Sequence, residues 1–282
     1  MITKGQIIKN ISDSFDVEVD NEIITCKCRG KMRLEKQIPL VGDFVFIDKN
    51  KKVIEKILKR QNEIIRPNVS NITQGIIVTS FKHPDFSTNL LDKLLVELEI
   101  NKIKPIICMT KKDLIKNKDY LEIKKILDYY ENLGYTILYN TEINKVKKVL
   151  ENNTSVFMGQ TGAGKSTLLN KIFKDLNLKT GEISLALGRG RHTTRHVEII
   201  KKDNIKVLDT PGFSALTFDN INKEKIRDAF LEFKKYPCVY QDCMHINELE
   251  CNVKKAVENK KILKSRYDNF CSFIKDANDK RW

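Results

Sequence analysis

Hydrophobic and polar positions alternate through residues 1–66. In "FDVEVD", Phe15, Val17 and Val19 fall on one face and Asp16 and Glu18 on the other, the period-2 pattern of a half-buried strand. "GQIIKNI", "EIITCKCRG" and "DFVFID" read the same way, and Gly, Asp, Asn and Pro break the runs. Four or five short strands in this length predict a small barrel, for which an OB-type barrel is the natural candidate. Cys26 and Cys28 share one strand face with no second ligand pair nearby, so they read as packing residues.

From residue 67 the rhythm changes. "QGIIVTS", "KPIICMT", "YTILYN" and "SVFMG" are short apolar runs, whereas "LLDKLLVELEI", "LEIKKILDYYENL" and "STLLNKIF" place apolar residues at helical spacing. "RHVEIIKKD" and "IKVLDTPG" read as a strand pair. Strands alternating with helices predict a mostly parallel α/β sheet over 67–219. Residues 220–282 read as charged helices interrupted by a segment bearing Cys and His. The expected chain is therefore multi-domain, with an N-terminal OB-type β-barrel, a central α/β domain and a C-terminal helical module.

The central domain carries the chemistry. "VFMGQTGAGKSTLL" holds Gly159, four residues, then Gly164-Lys165-Ser166, the phosphate-loop pattern G-x4-G-K-[ST] in its required strand–loop–helix setting. Backbone N–H groups from Gly159, Gln160, Thr161, Gly162, Ala163 and Gly164 to Thr167 are expected to surround phosphates. Lys165 would reach the β and γ oxygens, and Ser166 would ligate Mg²⁺. About forty-five residues on, Asp209-Thr210-Pro211-Gly212 follows a strand. It looks like a switch II motif, in which Asp209 holds Mg²⁺ through water and the Gly212 N–H meets the γ-phosphate. Between the two, "GRGRHTTRH" offers Thr193 and Thr194, one of them the switch I threonine; Thr194 is taken with Ser166 and Asp209 as the Mg²⁺ set.

Thr110-Lys111-Lys112-Asp113 ends another strand and resembles the [NT]-K-x-D motif that reads guanine in Ras-like GTPases. Asp113 can accept from the guanine N1–H and exocyclic amine, Lys111 can lie along the base, and Thr110 stands where Asn is commoner. Tyr139-Asn140-Thr141 depart from the usual Ser-Ala base loop and supply no assigned residue. The guanine motif precedes the phosphate loop, the reverse of the ordinary order. Joining the old termini of a GTPase and cutting after switch II leaves every site in place, because domain termini often lie close together. The order predicts a circularly permuted P-loop GTPase whose switch II runs straight into the C-terminal module.

After the D-x-P-G motif, Ras has a glutamine that orients the attacking water. Here Phe213 follows Gly212 and cannot hydrogen-bond water. Unaided hydrolysis is expected to be slow, and His192 is the candidate on this chain for positioning the water. A lone His in a basic loop reads equally well as a nucleic-acid contact.

The 282 residues contain 51 Lys and Arg against 37 Asp and Glu, a net charge of +14. That surplus fits either a Lys-, Asn- and Ile-rich genome or a polyanionic partner such as RNA; spread along the chain, it does not by itself choose among RNA, DNA and a membrane surface. No apolar run approaches the ~18 residues that span a bilayer, and "MITKGQIIKNISDSF" has no apolar signal region. A cytoplasmic protein with reduced thiols is the expectation, so the seven cysteines suit packing or metal better than disulfides. Cys238-x4-Cys243-x-His245-x5-Cys251 offers three thiolates and an imidazole within one short loop, the donor set of a closed tetrahedral Zn²⁺ site. Cys271 sits alone at helical spacing and reads as core.

With these motifs in this order, the chain resembles the RsgA family of circularly permuted GTPases. "CRGKMR", "VGD" and "RPNVSNITQGIIV" are similar to that family's OB domain and linker; "MTKKDL", "GQTGAGKST", "RHTTRH" and "DTPGF" to its GTPase motifs; and the Cys/His pattern to its zinc module. The resemblance implies GTP hydrolysis stimulated by the small ribosomal subunit, contact with 16S rRNA, and a late role in subunit maturation. It further implies His192 as the catalytic histidine and other assembly factors such as RbfA as partners. A monomer with no membrane partner is the expectation. Two rivals stay open at this point: a P-loop kinase of a small metabolite, against which Asp113 argues, and an RNA-binding scaffold that keeps GTP as a structural ligand, which Phe213 keeps alive.

Overall fold

The computed structural model describes residues 1–30, 38–64, 68–173, 197–209, 218 and 221–277, the side chain of Asp209 excepted. Five strands open the chain: β1 (Ile2–Ile11), β2 (Ser14–Val19), β3 (Glu22–Cys28), β4 (Phe44–Asp48) and β5 (Val53–Ile57). They pair in the order β1-β2-β3-β5-β4, and β4 returns to β1, closing a barrel of OB type. Ile7, Val17, Val19, Val45, Ile47 and Ile54 fill it. Cys26 is buried among them and Cys28 packs half-buried against them, the packing role that their spacing suggests. The alternation in the sequence passed over β5 because Ile54 is its one fully buried side chain.

A two-stranded ladder, β6 (Glu63–Ile64) with β7 (Val69–Ser70), links the barrel to the α/β domain. The buried Asp43 pins it: its carboxylate accepts from Ser70 Oγ at 2.6 Å and from Arg60 Nε and Nη2, both at 2.8 Å. The α/β domain then runs β8 (Gln74–Ser80), α1 (Thr88–Ile100), β9 (Lys104–Thr110), α2 (Asn117–Asn132), β10 (Thr136–Tyr139), α3 (Ile143–Leu150), β11 (Thr154–Met158), α4 (Lys165–Ile172), β12 (Glu198–Lys202) and β13 (Ile205–Asp209). Its strand order is β10-β9-β8-β11-β13-β12, parallel except for β12. Helices cover both faces. Ile77, Ile107 and Met109 pack with Leu94 and Leu98 of α1, while Ile76, Ile106 and Cys108 pack with Leu150, Leu168 and Leu169 of α3 and α4. Burial on both sides is why these strands read as unbroken apolar runs. Helix α3, which the sequence pattern did not single out, buries only Val146 and Leu150.

Strand β12 also pairs with β1, at Lys9 and Glu198, so barrel and α/β domain share one eleven-stranded sheet. The seam is braced by Lys9–Glu198 at 2.8 Å and Lys201–Glu18 at 2.6 Å. Beyond it lie α5 (Lys223–Asp228), a 3-10 turn (Leu231–Lys235), α6 (Asn252–Glu258) and α7 (Lys264–Asp276). Their core of Phe230, Phe233, Phe270 and Phe273 also takes in Phe218 and Val96 of α1. Across that joint runs a fully buried ion cluster. Arg266 donates to both oxygens of Glu232, at 2.7 and 2.8 Å, and to Asp92 of α1 at 2.7 Å. Asp92 also accepts from Tyr130 Oη and from Asn269 Nδ2.

Candidate nucleotide and metal sites

The strand order reverses between β8 and β11: β9 and β10 lie on one side, β13 and β12 on the other. In an open parallel sheet, ligands bind beyond the carboxyl ends of strands at such a point. The two sequence motifs meet there. The phosphate loop leaves β11 and enters α4, and Thr110 ends β9. Thr110, 1 % exposed, donates its hydroxyl to the Ala163 carbonyl at 2.6 Å. The first residue of the guanine motif is thus bonded directly to the phosphate loop, in the place where Asn is commoner. Lys111 takes a left-handed backbone and its ammonium bonds the His83 carbonyl in the loop after β8. Asp113 projects exposed from the short 3-10 turn, open to a base. Lys112, also exposed, holds its ammonium over the Tyr120 ring, 4.5 Å from its centroid.

Gly159 shows why the loop's first residue is glycine. Its φ is +130°, and a Cβ there would stand 2.0 Å from the Val78 carbonyl oxygen. Gln160, Thr161 and Thr167 are exposed and Ser166 is buried at the base of α4. Lys165 folds back on the loop, donating to the Gly159 and Gln160 carbonyls at 2.6 and 2.8 Å. Burial pulls its ammonium down to about 8, and among the described residues it has no anionic partner. The backbone of Asp209 ends β13 beside β11. His192, Thr193, Thr194 and Gly212, with Phe213, lie outside the described residues.

The second site is at the C-terminus. Cys238, Cys243, His245 and Cys251 bring their donor atoms within 4.8 Å of one another. Cys238 Sγ to Cys251 Sγ is 3.7 Å, and His245 Nδ1 lies 3.5 and 3.4 Å from these two sulfurs. A tetrahedron with Zn–S of ~2.3 Å and Zn–N of ~2.05 Å has S···S edges of about 3.8 Å and S···N edges of about 3.5 Å. The donor set and its spacing fit Zn²⁺. The loop is set by Glu248, whose carboxylate accepts from the Met244 and Ile246 N–H groups at 2.7 and 2.9 Å. His245 is held by Tyr267, which donates to its carbonyl at 2.7 Å, and by the edge of the Phe233 ring. Cys271 packs half-buried against the module's core.

Two arrangements escaped the sequence reading, the Asp92–Arg266–Glu232 cluster and the loop around His83 that receives Lys111. The first left a signal. Arg266 falls on the apolar face that Phe270 and Phe273 define, where an unpaired Arg has no place.

A sheet in which the phosphate-loop strand follows the guanine-motif strand in the chain, yet keeps both loops at one crevice, belongs to a circularly permuted GTPase. It carries an OB-type barrel before it and a Cys/His module after it. Family models agree: that of the RsgA GTPase matches residues 57–219 and that of the RsgA N-terminal domain residues 4–53. The chain belongs to the RsgA GTPase family. It is 43 % identical over 289 residues to the small ribosomal subunit biogenesis GTPase RsgA of Latilactobacillus sakei, covering 98 % of this chain and 97 % of that protein. To the protein of the same name from Clostridium botulinum it is 43 % identical over 290 residues, covering 99 % and 98 %. Among solved structures it is similar to YjeQ from Thermotoga maritima, with a TM-score of 0.87, 34 % identity and full coverage of both chains. It is also similar to YloQ, described as a circularly permuted GTPase, with a TM-score of 0.82, 34 % identity, and coverage of 100 % and 97 %.

Proposed function

We propose that this protein binds the small ribosomal subunit, assists its late maturation, and hydrolyses GTP slowly alone and faster on the subunit. The observation that carries the reading is the bond from Thr110 to the Ala163 carbonyl, which fixes the guanine motif against the phosphate loop. A site built that way takes a guanine base and its phosphates together. The relatives' names supply the subunit.

In this reading, Asp113 accepts the guanine edge and Lys111 flanks the base. The N–H groups from Gly159 to Thr167 hold the phosphates. Lys165 leaves the Gly159 and Gln160 carbonyls for the β and γ oxygens. Ser166, Thr194 and Asp209 hold Mg²⁺, which neutralises charge on those oxygens when bound. Thr193 and Thr194 close switch I, the Gly212 N–H meets the γ-phosphate, and His192 orients the water that Phe213 cannot. Cys238, Cys243, His245 and Cys251 hold one structural Zn²⁺. The OB-type barrel over 1–66 contacts 16S rRNA, the GTPase domain covers 67–219, and the zinc module covers 220–282. The protein works as a cytoplasmic monomer; no helix among the described residues is long and apolar enough to cross a membrane.

GTP turnover with and without small subunits tests this. The isolated protein should turn over in the ~10⁻⁴–10⁻² s⁻¹ range of unassisted GTPases, and subunits should accelerate it. His192→Ala should lose most of the acceleration while keeping subunit binding. Fast turnover without the subunit would remove the partner from the mechanism. Full stimulation of the His192 variant would move the water-positioning group onto the ribosome.

A further inference from the structure

Of the four guanine-motif residues, Thr110 alone is buried. Its main chain is pinned to β8, in register with Ser80, and its carbonyl accepts from the Phe81 N–H at 3.1 Å. Its side chain packs against the phosphate loop: a Cβ on Gly164 would stand 3.6 Å from the Thr110 hydroxyl oxygen. Two carbonyl oxygens flank that hydroxyl, Ala163 at 2.6 Å and Thr79 at 3.3 Å. A hydroxyl has one proton, and both carbonyls call for it. Whichever of them takes it, the Thr110 oxygen turns only lone pairs toward anything else.

The other three residues are committed elsewhere. Asp113 carries a carboxylate, which accepts only. Lys111 gives its ammonium to the His83 carbonyl, in a loop that Ser80 Oγ holds through the Pro84 carbonyl at 2.7 Å. Lys112 holds its ammonium over the Tyr120 ring. Guanine, however, also presents N7, an acceptor on the edge away from its N1–H and 2-amino group. An Asn at position 110 would bring two N–H groups, one for the Ala163 carbonyl and one left for the base. Thr has none left.

We propose that the motif reads guanine by its N1–H and 2-amino group and leaves N7 unread, with Thr110 setting that limit. The ligand class is then any nucleotide with those two groups, whether or not position 7 can accept a hydrogen bond. Thr110 is a specificity residue with two tasks. Its hydroxyl braces the phosphate loop, and its lack of a second donor widens the choice of base. The inference rests on the guanine reading above and deepens it.

The test measures displacement of a fluorescent GDP from the full-length protein by GDP, 7-deaza-GDP and ADP. In 7-deaza-GDP a C–H replaces N7, so a donor that had faced N7 would be left unpaired, lowering affinity about fivefold or more. The parent should instead bind 7-deaza-GDP within about twofold of GDP. Thr110→Asn brings a carboxamide N–H to the base and should bind 7-deaza-GDP about fivefold or more weaker than GDP. Thr110→Ser keeps a single hydroxyl and should keep the parent's ratio. Thr110→Val leaves the Ala163 carbonyl unpaired, so it should weaken both nucleotides alike. If the parent prefers GDP to ADP but binds 7-deaza-GDP about fivefold or more weaker than GDP, a donor outside the motif reads N7 and the proposal is overturned. A folded Thr110→Asn variant with the parent's ratio would overturn it too, by removing Thr110 as the limit. If that variant fails to fold, the parent's own two affinities decide. If the parent does not prefer GDP to ADP, the guanine reading itself falls, and this proposal with it.

Discussion

Replacing Arg266 with Met should loosen the C-terminal module from the GTPase domain, and the loss should depend on pH. Arg266 is fully buried and supplies the positive charge facing two buried carboxylates, Asp92 at 2.7 Å and Glu232 at 2.7 Å. Removing one member of a buried ion cluster leaves uncompensated charge and costs about 3–5 kcal/mol. For a domain of this size each kcal/mol shifts the midpoint by about 2–4 °C, so a fall on the order of 10 °C is expected in thermal unfolding.

The pH dependence originates in Asp92. Burial pushes its carboxyl above the usual carboxylate range, and Arg266 is the strongest opposing pull, ahead of the Tyr130 and Asn269 hydrogen bonds. Without Arg266 the carboxyl must rise further. A carboxyl whose folded pKa lies above its unfolded value binds more protons folded than unfolded, so stability falls as pH rises through the folded pKa. The difference between variant and parent should therefore be smaller at pH 6 than at pH 8, both in excess zinc. The triple variant Asp92→Asn, Arg266→Met, Glu232→Gln should recover most of the loss, because replacing a whole buried cluster is often close to neutral. An equal loss at both pH values with no recovery in the triple variant would refute the charge argument and leave only lost packing against Phe230 and Tyr130.

Asp113→Asn should weaken GTP binding and admit xanthosine triphosphate, since an amide reverses part of the hydrogen-bond pattern; unchanged GTP affinity with no gain for the xanthine nucleotide would misplace the base site. Cys243→Ala should drop zinc from about one per chain and loosen residues 221–277 while GTP affinity holds, read by metal analysis and limited proteolysis. Burial holds Lys165 near 8, and phosphate oxygens should raise it. GTP binding should then take up a proton at pH 8.5 but not at pH 6.5, seen as a buffer-dependent calorimetric heat at the higher pH alone.

Much of this was legible because the chemistry sits in contiguous motifs. A phosphate loop needs its strand, glycines and helix in one run, and the Cys/His set lies in one loop, so both can be read locally. The strands of the α/β domain announced themselves because helices bury both faces. What escaped depends on contacts distant in sequence. Asp92 and Arg266 lie 174 positions apart; the place of Arg266 on an apolar helix face calls for a partner, but no local pattern says which one. The pairing of β1 with β12 joins the first strand to one nearly two hundred residues on, and nothing in either strand's own pattern records it. Strand β5 was hidden for the opposite reason, being too short and too little buried to alternate visibly.

The seam and the ion cluster give the permutation a mechanical meaning. Strands β12 and β13 form a hairpin, with the proposed switch I immediately before it and the proposed switch II immediately after. On the switch I side, β12 is hydrogen-bonded to β1, so it belongs to the barrel's sheet as much as to the GTPase sheet. On the switch II side, the chain reaches Phe218, whose ring lies 4.8 Å from that of Phe273 of α7, tilted by 50°, and which is fully buried in the third core. In an unpermuted GTPase the segment after switch II returns to the sheet; here it ends in the module that Arg266 clamps to α1. Packed cores resist continuous deformation and shift between discrete arrangements. A rearrangement of either switch around the γ-phosphate would therefore pull on a rigid attachment at each end of one hairpin. One nucleotide event can then reposition the barrel and the metal module together, which two modules hung on flexible linkers could not do.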